Sequence, residues 1–117
     1  MKTSELQGAA LDWAVAKCES WVIGTTDDDL VSYVLENSAD EMHFWPSTDW
    51  AQGGPIIERE GITLRNFIQG DAWDAELDYE ETFLQSGPTP LIAAMRCYVA
   101  SKLGDEIEVP EELWEQA

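Results

Sequence analysis

The side chains with the clearest capacity for chemistry are few. His43 follows Asp40 and Glu41, a setting in which an imidazole can serve as a general base or a metal ligand. General-base catalysis also needs a positioned nucleophile and an orienting partner. The residues around His43 offer neither, so a solvated loop histidine is expected. Cys18 and Cys97 lack the close spacing of zinc ligands, and thiols on helices behave as small apolar groups. Acidic pairs can hold calcium, yet no segment supplies the spaced oxygen donors and glycine of a helix-loop-helix site. The expectation is a non-enzymatic protein without catalytic residues, cofactor or metal.

A second set suits ligand binding. Gly53, Gly54 and Pro55 do not form a phosphate-binding fingerprint, because the Lys and Ser/Thr of a nucleotide loop are missing. Trp45 and Trp50 flank these glycines, and with Arg59 they would combine aromatic stacking with anion pairing. A small-molecule role, sequestering a nucleotide signal through Trp45, Trp50, Gly53, Gly54 and Arg59, is therefore the alternative reading. Arg96 is expected to pair with an acid.

The third set is the carboxylates. Twenty-four Asp and Glu face six Lys and Arg, a net charge of −18 on 117 residues. Such an excess disfavours contact with nucleic acid or an anionic membrane and favours a basic protein surface. A globule of this length is about 35 Å across, and a DNA duplex that long bears about 20 negative charges, so imitation of the field of DNA is physically possible. Asp74, Glu76 and Asp78 alternate with Trp73, Ala75, Leu77 and Tyr79. On a strand that pattern lines up three carboxylates about 6.8 Å apart, roughly a quarter of the linear charge density of DNA. Glu80 and Glu81 extend the run, Asp27, Asp28 and Asp29 form a secondary cluster, and Asp105, Glu106, Glu108, Glu111, Glu112 and Glu115 form another. No Lys or Arg occurs between Arg65 and Arg96, so the 71–81 run has no neutralising neighbour in sequence.

These residues must be held by a folded scaffold. Hydrophobic residues make up 44% of the chain and six are tryptophan, which separates it from disordered acidic tails. The length fits a single domain spanning residues 1–117. Two cysteines, no signal segment at the N-terminus and no apolar run of membrane length predict a protein of the host-cell cytoplasm with free thiols. Self-association into a homodimer is compatible with these features.

Ser4 with Gln7 resembles a capping box, and Leu6, Ala10, Trp13, Ala14 and Cys18 recur at helical spacing, predicting a helix over 4–18. Strands are expected over 21–23, 30–35, 62–68 and 73–79, with turns at 27–29 and 69–71. The stretch from Asn37 to Pro55 reads as a long loop, and 56–60 as a short strand or turn ended by Gly61. Thr89 as cap and Pro90 at the first helical position open a helix whose apolar face is Ile92, Met95, Val99 and Leu103, ended by Gly104. Residues 107–109 are expected as an edge strand before Pro110. Together these give an α+β domain, a small antiparallel sheet packed by an N-terminal and a C-terminal helix.

Three longer stretches carry a resemblance: GAALDWAVAK from Gly8 to Lys17, STDWAQGGPIIE from Ser47 to Glu58, and GPTPLIAAMRCYVASKLGDE from Gly87 to Glu106. The chain resembles NinX-type phage proteins over somewhat more than a third of its length. The resemblance implies a phage or prophage protein, brings no mechanism, and assigns no catalytic residue. Residues 24–45 and 71–83 depart from the pattern and are acidic, which ties any acid-dependent activity to this member. The expected function is binding and inhibition of a basic host protein, of the nucleic-acid-binding defence class that includes restriction and CRISPR complexes. The binding residues would be Asp74, Glu76, Asp78, Glu80 and Glu81, with Asp27, Asp28 and Asp29 secondary.

Overall fold

The computed structural model describes residues 1–19, 22–25, 31–34, 41–43, 45–66, 72–78 and 80–109; of the segments between 22 and 43 only the backbone is described. The predicted turns at 27–29 and 69–71 and the segment from Pro110 onward lie outside them.

The N-terminal helix starts later than its periodicity suggests. Thr3–Glu5 forms a single 3-10 turn, and α1 spans Gly8–Cys18. Gln7 is extended (φ −155°) and Gly8 has φ 58°, a left-handed conformation that glycine adopts without steric cost. The expected Ser4–Gln7 capping box does not form, and Gln7 caps α1 without a side-chain hydrogen bond. The break lets Leu6 drop into the core, fully buried. It also turns the first residues toward the other end of the chain. The Thr3 hydroxyl donates to the Gly104 carbonyl at 2.7 Å, the Thr3 amide donates to Asp105 O at 2.8 Å, and the terminal ammonium donates to Ile107 O at 2.9 Å. In place of the edge strand expected at 107–109 there is one isolated bridge, Lys2 with Glu106.

Next come β1 (Val22–Thr25), β2 (Val31–Val34) and β3 (Glu41–His43), an antiparallel sheet in that order. Val22 pairs with Val34, and Ser32 with His43. His43 therefore stands on a strand, correcting its placement in a loop.

The predicted 37–55 loop and the 56–60 strand are corrected further by α2, Trp50–Glu60. Asp49 caps it, its carboxylate accepting from the Ala51 amide at 3.0 Å, and Gly61 ends it at φ 70°. Pro55 lies inside the helix and removes one backbone bond. Pro55 and Ala51, whose carbonyl loses that bond, are both exposed, so water can satisfy it. The gain is packing on the opposite face, where Gly53 and Ile56 are buried. A methyl group on Gly53 would lie 2.4 Å from the Pro46 carbonyl oxygen and 2.7 Å from Leu91 Cδ2. Glycine here serves a close approach between segments, which the turn-like reading of Gly53-Gly54-Pro55 misses.

A second antiparallel sheet holds β4 (Thr63–Asn66), β5 (Trp73–Asp78) and β6 (Thr82–Gly87), with β5 central. Among the described residues there are thus two three-stranded sheets where one was expected, and β6 had no predicted counterpart. Helix α3 (Pro90–Leu103) is capped by the Thr89 hydroxyl, which accepts from the Ile92 amide at 3.1 Å, with Pro90 in its first turn. α3 packs on β5 and β6 and also touches α1 and α2. Residues 93–100 are all buried, so α3 is a central helix rather than an amphipathic cover, and Leu103 of its predicted apolar face is 37% exposed. The α+β class and the flanking of an antiparallel sheet by N- and C-terminal helices stand.

Candidate functional site

The orientation of β5 follows from two residues. Ala75 and Leu77 are fully buried in the core with Met95, Cys97 and Val99 of α3. Burial of a leucine side chain contributes roughly 1.5–3 kcal/mol. Side chains alternate along a strand, so Asp74, Glu76 and Asp78 take the opposite face, and a one-residue slip would bury all three carboxylates.

The neighbouring strands complete this face. Asp74 stands opposite Arg65 of β4 and Ser86 of β6, Glu76 opposite Thr63 and Leu84, and Asp78 opposite Thr82. Arg65 Nη2 donates to Glu76 Oε1 at 3.2 Å, and the Thr82 hydroxyl donates to Asp78 Oδ1 at 2.8 Å. The 71–81 run has no basic neighbour in sequence, and the fold supplies one in space by bringing Arg65 across from β4. The pair is solvent-exposed, which limits its strength. Glu80 and Glu81, both exposed, follow in the turn between β5 and β6. Asp74, Glu76, Asp78, Glu80 and Glu81 thus belong to one hairpin, while Asp27, Asp28 and Asp29 lie outside the described residues. Leu84, next to Glu76, is 56% exposed. Sequence reasoning did not single out Leu84 or Thr82, because both lie in the strand it missed.

Two open cavities adjoin this hairpin. One of about 500 Å³ is lined by Glu80, Glu81, Phe83, Ser101 and Lys102. The other, of about 470 Å³, lies along β6 between Glu81 and Asp105. Beneath the sheet, burial and then the charges of Glu76 and Asp78 push the Cys97 thiol up to about 12. Burial, followed by the charge of Glu19, does the same to Cys18. Neither sulfur is a nucleophile near neutral pH.

The alternative ligand residues are divided. Trp50 opens α2, 54% exposed, a methyl group on Gly54 would lie 3.9 Å from its ring carbon Cε3, and Trp45 lies just before the capping turn. A cavity of about 230 Å³ there is lined by Ser47, Thr48, Trp50, Thr89, Pro90, Leu91 and Ile92, between the starts of α2 and α3. Arg59 sits in the last turn of α2, about 13 Å along the helix axis from Trp50, and engages elsewhere. It makes a two-point pair with Glu19, Nη1 to Oε1 at 3.0 Å and Nη2 to Oε2 at 2.8 Å, and donates to Glu60 at 2.8 Å and to the Tyr98 hydroxyl at 3.1 Å. Tyr98 donates in turn to Glu19 at 2.6 Å. Its hydroxyl is raised above the ordinary tyrosine range, by burial first and then by the bond to Glu19. This network ties the ends of α1 and α2 to α3.

Two buried polar groups also shape the site. Asp12 on α1 is 5% exposed and accepts from the Ser47 amide at 2.9 Å. Burial raises its carboxyl to about 7 against the smaller opposing effect of Ser47. The Ser47 hydroxyl, itself buried, approaches this carboxylate without reaching hydrogen-bond geometry. Arg96 does not pair with an acid as expected. Its Nε donates to Leu6 O at 2.7 Å and its Nη1 to Ser86 O at 2.9 Å, and burial lowers its pKa.

Comparison with known proteins gives one family. The family model described as "Bacteriophage P22, NinX" matches residues 2–102. No curated protein matches the chain. Among the described residues, no helix is long and apolar enough to cross a membrane.

Proposed function

Since the chain belongs to the bacteriophage P22 NinX family and is thus a phage protein, we propose that it binds and inhibits a basic host protein through the acidic face of the β4–β5–β6 sheet. The reading is non-enzymatic and places the protein in the host cytoplasm. One observation carries it: five carboxylates on one hairpin, with Arg65 the basic side chain that the fold brings across to Glu76. The net charge of −18 adds long-range attraction to a basic surface and repels nucleic acid. The partner class that fits is a nucleic-acid-binding defence complex, restriction or CRISPR, whose DNA-binding cleft takes the carboxylate row in place of phosphates. In capture from host lysate, a specific partner is expected whose affinity falls at least tenfold between about 50 and 200 mM salt. Changing Asp74, Glu76 and Asp78 together to Asn, Gln and Asn should weaken it further. Salt-insensitive binding would remove the electrostatic basis.

A second reading has its own observation, the cavity beside exposed Trp50. Its apolar wall and the hydroxyls of Thr48 and Thr89 suit a planar heterocycle, with the amide-bearing ends of two helices close by. In that case protein from infected cells releases a nucleotide on heating, and Trp50→Ala abolishes its retention.

A further inference from the structure

We propose that the outer edge of β6 is a docking strand, onto which an extended basic segment of the protein partner adds as a fourth strand of the β4–β5–β6 sheet. This inference rests on the acidic-face reading above and specifies how the partner is held.

Among the described residues, β6 pairs with β5 alone. Its free edge follows from the register of the hairpin. Asp78 pairs with Thr82 across only three residues, so that pair is of the hydrogen-bonded kind, and by alternation the peptide groups of Thr82, Leu84 and Ser86 are directed at β5. The peptide groups of Phe83 and Gln85 between them therefore point to the outer edge, and both residues line the cavity there. An unpaired row of this kind is a template for strand addition.

The space beside that edge is shaped for such a segment. The cavity of about 470 Å³ runs along Thr82–Gln85, with Ala100 and Gly104 on its other side. A further cavity of about 210 Å³ continues past Gln85 to Lys2 and Ser4. Thr82 to Ser86 spans about 13 Å at the strand rise, enough for four residues of an added chain. Leu84 offers an exposed apolar contact on the sheet face.

Charge selects the occupant. Glu81 and Asp105 line the first cavity, and Asp105 and Glu106 the second, against Lys2. The carbonyl end of α3 finishes at Gly104 on the same rim, adding the negative end of a helix dipole. A second copy of this chain would bring another −18 to the rim, and residues 110–117 of the chain itself carry three further glutamates and no Lys or Arg. A segment with Lys or Arg at alternate positions can direct them to the face that Leu84 shares with Glu76 and Asp78, with Glu81 and Asp105 at the cavity rim. The acidic rim thus excludes the chain's own kind and admits a basic strand.

The test uses the full chain and three capped heptapeptides: alternating Lys and Val, the same peptide N-methylated at its three central amides, and the same peptide with Glu for Lys. N-methylation keeps every charge and blocks both hydrogen-bonding edges. At 50 mM salt, calorimetry is expected to show the Lys peptide binding at least tenfold more tightly than its N-methylated form, and no binding by the Glu peptide. Amide shifts should centre on 82–85, and E81K/D105K, two changes at the cavity rim, should reduce affinity tenfold or more. Equal binding of the methylated and unmethylated peptides would overturn strand addition and leave the acidic-face reading standing. Shifts confined to other elements, no binding by the Lys peptide, or a homodimer that occupies the edge in sedimentation would also overturn it. The acidic-face reading fails separately, if a captured host partner is insensitive to salt and to the changes at Asp74, Glu76 and Asp78.

Discussion

Arg96 Nε lies 2.7 Å from the backbone carbonyl oxygen of Leu6, joining the middle of the last helix to the sixth residue of the chain. The same guanidinium reaches Ser86 O at 2.9 Å, so one buried cation fixes the N-terminal segment and the end of β6 on α3. Neither acceptor is charged, and the cost of burying the cation is met by carbonyl dipoles. Replacing Arg96 by Met keeps much of the volume and leaves both carbonyls without this donor. Hydrogen bonds to charged groups contribute about 1.5–3 kcal/mol each, with incomplete additivity. Arg96→Met is expected to lower stability by about 2–4 kcal/mol in urea unfolding and to speed amide exchange at residues 3–6 and 84–86.

Asp12 makes stability fall with rising pH at its own position. Its carboxyl is raised from 3.8 to about 7 in the folded protein, so between those values the folded state holds a proton that the unfolded state has released. Its contribution is fully present below about 4 and lost as pH rises through about 7. At 1.36 kcal/mol per unit the change is roughly 4 kcal/mol at most. Asp12→Asn, which cannot ionise, should gain on the parent protein between pH 4 and 8. Denaturation midpoints of the pair across that range test the sign.

Adjacent glycines of α2 are expected to respond in opposite directions. Gly53→Ala places a methyl group against the Pro46 backbone at 2.4 Å, an overpacking that costs about 1–3 kcal/mol. At Gly54 the nearest neighbour is the Trp50 ring at 3.9 Å, ordinary contact, so Gly54→Ala should stabilise by about 0.5–1 kcal/mol through helix propensity. Thermal unfolding of the two variants separates packing from propensity within one helix.

The Glu19–Tyr98 hydrogen bond of 2.6 Å should behave as part of a unit with Arg59. Tyr98→Phe removes the hydroxyl from a buried ring and is expected to cost about 1–2 kcal/mol, as is Glu19→Gln. The double variant should cost less than the two added together, by about 0.5–3 kcal/mol. Additive losses in a double-mutant cycle would show that the contacts are independent.

Local signals were strong where a residue's role is set by its immediate neighbours. Thr89 and Pro90 begin α3, Gly104 ends it, and the alternation of Trp73–Asp78 marks β5 with its carboxylates outward. The reading failed where distant contacts decide. Asn37 to Pro55 lacks periodicity, yet half of α2 forms there because Gly53 and Ile56 dock on Pro46 and α3. β6 was missed because Thr82, Leu84 and Ser86 do not contrast in polarity as a half-buried strand should, and Leu84 faces solvent. The 4–18 periodicity was real, but Gly8 broke the helix to seat Leu6.

By itself the sequence determined the charge, the outward carboxylates of one strand, the capped last helix and the kinship with NinX proteins, since each depends on residue type and spacing along the chain. Tertiary structure decided which partners those residues meet. It set Arg65 beside Glu76, drew Arg59 into a network with Glu19 and Tyr98 away from Trp50, and turned Arg96 to carbonyls. The physical reason is that hydrogen bonds and close ion pairs form only between groups a few ångströms apart, and only the folded backbone brings residues far apart in sequence within that distance.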